Sequence, residues 1–319
     1  MHVCFFSPPK FVDIPQLRYF VAVVDYGSFS KAAAHCNTST SNISEQIQKL
    51  EQQVGQLLLD RSRRRVVPTE AGEVLLKRAR RILADLDSAN LEVRCVGKRK
   101  AGRVLVGILM TLGPCFLVHV LNSFVDQFPD IQVCLYETTT ALMLSMLDIG
   151  KLDVGITSQP IRDEVFDTEN LYTEEMLLAL HPRHPLTRKQ AIYKEDLESE
   201  KFILSKDDHC MNGCALRLCG RNDFCPRIVF QAGRPAMIQS LVAAGQGISL
   251  IPQTAIMEMP ATITYRQLEN LRPRRSIVMV TRSKRALKPA AQTFLQHLRV
   301  ASRTFKLPVF NHVTLPLKP

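Results

Sequence analysis

Residues 17–72 read LRYFVAVVDYGSFSKAAAHCNTSTSNISEQIQKLEQQVGQLLLDRSRRRVVPTEAG, and this stretch decides the fold of the N-terminal third. Leu17, Phe20, Val21 and Val24 stand at i, i+3, i+4 and i+7, the apolar stripe of a first helix. Gly27 breaks it, and Ser28 is placed to cap a second helix carrying Ala32-Ala33-Ala34, side chains small enough for another helix to cross closely. Asn37-Thr38-Ser39 makes a polar turn, with Ser39 as N-cap of a third helix. That helix buries Ile43, Ile47 and Leu50, turns Thr40, Ser41, Asn42, Glu45, Gln46 and Lys49 outward, and ends at Gly55. Such a pattern fits an ordinary helical bundle or a helix-turn-helix whose second helix enters the major groove. The next residues favour the second. Arg61-Ser62-Arg63-Arg64-Arg65 sets four guanidinium groups in five residues beside Val66-Val67 and Pro68-Thr69, a basic β-wing suited to phosphates or the minor groove.

The same residues carry a resemblance. Phe20, Gly27-Ser28-Phe29, Ala32-Ala33, Ser39, Ile43-Ser44, Ile47, Leu50-Glu51, Gly55, Leu58, Arg61, Arg64, Val66 and Thr69-Glu70-Ala71-Gly72 are similar in type and spacing to the LysR-type transcriptional regulators. The chain differs at Ser41, where that family often has proline, and at Leu59, where it often has phenylalanine; neither change removes a polar contact. The resemblance implies a sequence-specific regulator bound to double-stranded DNA. Ser28, Ser39, Thr40, Ser41 and Asn42 are its DNA-binding candidates on the helices, the last four near base edges, with Arg61, Arg64 and Thr69 at the backbone or minor groove. It also implies a palindromic operator, a homodimer or homotetramer, and RNA polymerase as a partner, the chain acting as an activator.

Composition agrees. The 319 residues exceed one ordinary core and suggest two or three domains. Net charge is +11, and residues 1–100 hold 16 Lys/Arg against 10 Asp/Glu, a basic surface suited to a polyanion. No apolar run approaches the ~18 residues of a membrane span, and Met1–Val12 lacks the basic start and long apolar middle of a signal peptide. A soluble, cytoplasmic protein without a membrane partner is expected. Nine cysteines, an odd number without a dense framework, fit a reducing compartment.

Glu73 to Val96 contains no Pro or Gly, and Val74, Leu75, Leu76, Ile82, Leu83, Leu86 and Leu91 give a long helix with apolar residues at helical spacing. One small head cannot cover that stripe, so a second copy is expected; in the family this helix is the dimerisation linker. Gly97-Lys98-Arg99-Lys100-Ala101-Gly102 follows as a basic hinge. Beyond it the rhythm alternates. Val104–Ile108, Ile131–Leu135, Val154–Ile156, Leu177–Leu180, Ile228–Phe230 and Ile277–Val280 read as strands. Pro114–Phe124, Ala141–Ile149, Met237–Ala244 and Pro289–Val300 read as helices, an α/β plan with parallel strands. Gly150–Ile156 and Val242–Pro252 resemble the effector domain of the same regulators.

The resulting fold class is α/β with an N-terminal all-α winged helix-turn-helix and an effector domain of two α/β subdomains like periplasmic binding proteins. The implied domains are 13–72 (head), 73–102 (linker helix and hinge), 103–301 (effector domain) and 302–319 (tail). Subdomain I comprises 103–171 and 276–301, and subdomain II 172–275, with crossings near Leu171 and Arg275 and a cleft between.

What the cleft senses turns on Asp208-His209-Cys210-Met211-Asn212-Gly213-Cys214-Ala215-Leu216-Arg217-Leu218-Cys219. Three readings stand. Zinc is disfavoured because Cys210, Cys214 and Cys219 lack the paired C-x2-C spacing of structural sites, so no metal is assigned. Buried apolar cysteines are common. The third is a redox thiol, and here the sequence resembles the hydrogen-peroxide-sensing OxyR-like branch of the family. That branch has a His-Cys pair and a second cysteine nine residues on, matched by His209-Cys210 and Cys219. The resemblance implies Cys210 as peroxidatic and Cys219 as resolving residue, joined in a disulfide on oxidation. Thr111 and Thr140 fall at its peroxide-holding hydroxyls, and Arg275 at the arginine that stabilises the thiolate. Tyr136 and Asp208 differ from the histidine and glycine common in the branch. The alternative is a LysR-type regulator whose cleft binds a small carboxylate metabolite through Thr111, Thr139, Thr140 and Arg275. A thiol peroxidase is a third reading, opposed by the helix-turn-helix. None of these readings requires a cofactor.

Overall fold

The computed structural model describes residues 12–62, 65–94, 102–205, 227–256, 262–269, 272–307 and 313–314. The chain divides into two compact units whose main boundary falls after Arg94. In the first, α1 (Ile14–Tyr26) opens on a capping box in which the Asp13 N–H donates to Gln16 Oε1 at 2.9 Å, and it stops at Gly27 with φ 63°. Helix α2 (Phe29–His35) is capped by Ser28. Helix α3 (Thr40–Val54) is capped by Ser39, whose Oγ accepts from the Asn42 N–H at 3.1 Å, and ends at Gly55 with φ 76°. The three pack on Phe20, Val23, Ala32, Ile43, Ile47, Leu50 and Leu58, all fully enclosed. Strands β1 (Leu59–Asp60) and β2 (Val67–Pro68) pair antiparallel as the stem of the wing. Helix α4 (Glu70–Arg94) starts three residues before the apolar pattern predicts. The reason is Thr69, whose Oγ1 accepts from the Gly72 N–H at 3.0 Å and donates to the Leu57 carbonyl at 2.7 Å. Gly72 has to be glycine, because a Cβ there would meet the Leu58 carbonyl oxygen at 2.1 Å.

The second unit is built on β3 (Gly102–Ile108), flanked by β4 (Ile131–Glu137) and β5 (Val154–Ser158), both parallel to it. Helices α5 (Val118–Gln127) and α6 (Thr140–Asp148) are the crossovers, and α5 is preceded by a π-helical turn, Gly113–Leu117. The expectation of parallel strands throughout does not hold. Strand β6 (Phe166–Leu180) and the late strand Arg274–Arg282 pair antiparallel with each other, and the latter is antiparallel to β5 as well. Only seven residues separate β5 from β6, too few for the crossover that a parallel neighbour requires.

Strand β6 is fifteen residues long and serves two cores. Leu171 and Tyr172 belong with Val104, Val106, Phe116, Phe124, Ile277 and Phe294. Met176 to Leu180 belong with Phe202, Ile203, Ile238, Ile248 and Ile251. The second core is covered by Lys201–Ser205 and Arg227–Ala232, a parallel pair, by the helix Pro235–Ala243, and by Ser249–Pro252, which pairs with β6. The subdomains therefore share two paired strands, on which Leu171 and Arg275 both lie. The C-terminal helix Pro289–Thr304 runs four residues past the predicted Val300. In the expected tail, Val313-Thr314 pairs parallel with Tyr265-Arg266 at a sheet edge. No helix of the described residues is long and apolar enough to cross a membrane.

Candidate functional site

Two surfaces carry the residues that the sequence singles out. On the head, α3 presents Thr40 and Ser41 to solvent at its N-terminal turn, where a recognition helix meets base edges. Ser39 Oγ lies 2.9 Å from Ser41 Oγ, and Asn42 Nδ2 donates to Thr38 Oγ1 at 2.9 Å, so Ser39 and Asn42 hold the turn that displays the other two. Ser28 performs the same capping role on α2. Arg61 is engaged with the protein itself. Its Nη2 donates to Glu51 Oε2 at 3.0 Å, and its guanidinium sits 5.2 Å from the Phe29 ring centre. Thr69 spends its hydroxyl on capping α4. Arg64 lies outside the described residues.

The sequence marks Glu51 only as part of the family pattern and gives it no role. Its carboxylate, 8% exposed, accepts from the backbone N–H groups of Leu58 and Leu59 at 2.9 and 3.3 Å besides Arg61. One acidic side chain thus pins the start of the wing to α3.

In the second unit, the order β4-β3-β5 means that the chain leaves β3 toward one side and later returns to the other. The crevice beyond the carboxyl end of β3 is therefore a topological switch point, the usual ligand position of an open α/β sheet. Leu109–Leu112 turns there, and the Thr138 N–H donates to the Ile108 carbonyl at 3.0 Å, bringing Thr138 and Thr139 against the turn. A cavity of ≈ 20 Å³ opens between Leu109, Met110, Thr111, Thr138 and Thr139 of one subdomain and Ser205, Gly233 and Pro235 of the other.

Behind Thr111 stands a fully enclosed polar network. Arg275 Nη2 donates to Thr111 Oγ1 at 3.0 Å, and its Nε donates to Glu174 Oε1 at 2.7 Å. Glu174 also accepts from the Thr254 N–H at 2.8 Å and the Thr254 hydroxyl at 2.9 Å. Thr254 Oγ1 reaches the Thr111 carbonyl at 3.3 Å. Arg275 and Glu174 have no exposed side-chain surface, so their interaction escapes the screening that weakens surface pairs. Burial, reinforced by the Glu174 charge, raises the Tyr172 phenol well above its ordinary range, and it stays neutral beside this network.

Thr111 and Arg275 are thus brought together, whereas Thr140 points its hydroxyl at Thr157, 2.7 Å away, and the neighbouring Thr138 and Thr139 line the cavity. Tyr136 is 40% exposed on β4. His209, Cys210, Cys214 and Cys219 lie outside the described residues; none of the described Cys36, Cys115 and Cys134 is in a disulfide. Glu174 and Thr254 were missed, since their partners lie 101 and 143 residues away in the chain.

Comparisons with known proteins match both parts of the chain. Residues 14–73 match the family described as bacterial regulatory helix-turn-helix protein, lysR family, and residues 97–303 match the LysR substrate binding domain. The DNA-binding transcriptional dual regulator OxyR of Escherichia coli strain K12 is 31% identical over 290 residues, covering 90% of this chain and 95% of that protein. A full-length OxyR variant from Pseudomonas aeruginosa superposes with a TM-score of 0.71 at 24% identity over 93% of this chain and 97% of that one, a likeness of fold. A hydrogen-peroxide-bound cysteine mutant of Corynebacterium glutamicum OxyR superposes with a TM-score of 0.58 at 28% identity, covering 92% and 96% of the two chains.

Proposed function

This chain belongs to the LysR family of DNA-binding transcriptional regulators, and we propose that the signal it transduces is hydrogen peroxide. The observation that carries the reading is the size and lining of the cavity at the switch point. At ≈ 20 Å³ it has room for one or two oxygen-sized atoms, and hydroxyls line it, one of them anchored by a buried guanidinium. A carboxylate metabolite needs a pocket of about 300 Å³ or more. The peroxide-responsive relatives support the same assignment.

In this reading Cys210 is the attacking thiol and Cys219 the resolving one, with His209 beside the first. Only a thiolate attacks the O–O bond, and a cation nearby favours that ionised form. Arg275, its charge balanced by Glu174, fixes Thr111 as a hydroxyl that orients the peroxide. If residues 210–219 are helical when reduced, nine steps of about 1.5 Å separate the two Cα atoms by about 13 Å. A disulfide tolerates about 7 Å at most. Oxidation then has to refold this segment, and a refolded segment resets how the regulatory domains pack and how the DNA heads are spaced. The assembly is a homodimer or homotetramer on a palindromic operator.

Counting free thiols in the reduced full-length protein before and after one equivalent of peroxide tests this. Loss of two thiols, with a Cys210–Cys219 cross-link on peptide mapping, is expected. Unchanged thiols would return the cleft to a metabolite, and continuous turnover with a dithiol would indicate a peroxidase.

A further inference from the structure

The hydroxyl groups around the switch-point cavity differ in what they already hold. Thr140 is engaged with Thr157 at 2.7 Å, and Thr139 accepts from the Leu142 N–H at the start of α6. Thr111 accepts from Arg275. Thr138 stands apart. It lines the cavity and is 8% exposed, yet its Oγ1 is enclosed with no hydrogen-bond partner among the described residues. Its backbone N–H is tied to the Ile108 carbonyl, which fixes its place on the cavity wall. An enclosed hydroxyl without a partner is uncommon in a folded protein and asks for a further group that satisfies it.

We propose that Thr138 is a ligand-binding hydroxyl of this cavity, holding one oxygen of hydrogen peroxide while Thr111 holds the other. Together with Leu109, Met110 and Pro235 it restricts the ligand to hydrogen peroxide over bulkier organic hydroperoxides. The assignment rests on the peroxide reading above. Because Thr111 Oγ1 accepts from Arg275, its own O–H is directed to the ligand as a donor. Thr138 adds a second donor. When a protein thiolate attacks the near oxygen, an S–O bond forms and the O–O bond breaks. Sulfur loses two electrons to become a sulfenic acid, and the far oxygen departs as hydroxide, which an acid of the buffered solvent protonates to water. A fixed O–H on the departing oxygen stabilises charge as it develops. At ≈ 20 Å³ the cavity is on the scale of one or two oxygen atoms, and a tert-butyl group exceeds it.

The test uses reduced full-length protein and follows thiol oxidation by hydrogen peroxide and by tert-butyl hydroperoxide, with iodoacetamide alkylation as a measure of thiolate that needs no peroxide site. Thr138→Val preserves shape and removes the hydroxyl; it is expected to slow the hydrogen peroxide reaction about tenfold and leave alkylation within about twofold. Thr138→Ser restores the hydroxyl and is expected to react within about threefold of the parent, which separates ligand binding from a packing role. Thr138→Ala enlarges the cavity and is expected to narrow the preference for hydrogen peroxide over tert-butyl hydroperoxide. A Thr138→Val protein that reacts at the parental rate, or a serine variant as slow as the valine one, would overturn the assignment while leaving peroxide sensing intact. A parent protein that loses no thiol to peroxide overturns both.

Discussion

Arg275 and Glu174 face each other across the two strands that join the subdomains, 2.7 Å apart and wholly enclosed. Taking both charges out of water is costly, and the geometry offsets this with further hydrogen bonds from Thr254 to the carboxylate and from the guanidinium to Thr111. The pair therefore joins the hinge to the cavity wall.

Removing one partner should cost far more than removing both. Glu174→Gln leaves Arg275 buried beside an uncharged amide, and a loss of about 3 kcal/mol, or about 6–12 °C in Tm, is expected. Adding Arg275→Met should recover much of it, since two neutral side chains of similar volume replace a buried ion pair. Urea denaturation of the four proteins of this double-mutant cycle measures the coupling; strictly additive losses would mean that the pair does not act as a unit.

Local pattern was legible and long-range pairing was not. The helices of the head follow from apolar spacing and from caps at Ser28, Ser39 and Gly55, each a local signal. Strand β6 is predicted only over its last four residues, because Asp167–Asn170 are exposed and polar and belong to the sheet through their ladder with a strand a hundred residues on. The apolar run Phe202–Leu204 is as long as Val154–Ile156, and it is the parallel ladder with Arg227–Ala232 that makes Lys201–Ser205 a strand. Thr111 and Arg275 are legible through resemblance, and Glu51 only as part of the family pattern; Glu174 and Thr138 carry no local mark that separates them from surface residues, and only the fold supplies their surroundings.

On the head, the structure gives Arg61 a role apart from the basic run in which the sequence groups it. Arg61 braces Glu51, so Arg61→Ala should cost the head about 1 kcal/mol and change the salt dependence of DNA binding little. Arg64→Ala should lower the slope of log K against log salt by about 0.9, one phosphate's worth, on every sequence. Thr40→Ala should change which bases are preferred without changing that slope. Salt titrations on an operator and on unrelated duplex distinguish the three, and an Arg61→Ala slope as reduced as that of Arg64→Ala would refute the brace.

His297 gives the regulatory domain a pH dependence. It is 8% exposed, its Nε2 lies 2.9 Å from Ser123 Oγ, and its ring packs against Phe124. Burial holds its pKa below the ordinary histidine value; His119 adds in the same direction, and the Val120 carbonyl opposes. The unfolded chain therefore takes up the proton first, so stability is complete above about pH 6.5 and declines as pH falls below it. Tm should drop between about pH 7.5 and about pH 5.5 in the parent and drop less in His297→Gln. Equal slopes in the two proteins would assign the acid sensitivity elsewhere.

The last prediction concerns the apolar side of α4. Leu76 and Ala79 are buried against the head, whereas Val74 is 67%, Ile82 44% and Val93 72% exposed. Leu75, Ile82, Leu86 and Val93 stand at i, i+7, i+11 and i+18, spacings that return to one face of the helix. The strip spans about 27 Å, with Ile82 and Val93 exposed and Leu75 and Leu86 half-buried, and it calls for a matching strip on a second copy. Ile82→Glu would place two like charges opposite each other in the middle of a two-fold seam while leaving the contacts of Leu76 and Ala79 in place. Sedimentation should show smaller assemblies, circular dichroism of the head should be unchanged, and affinity for a palindromic site should fall by about 100-fold as the two heads cease to be linked. An Ile82→Glu protein that kept its assembly size and operator affinity would show that the copies meet elsewhere.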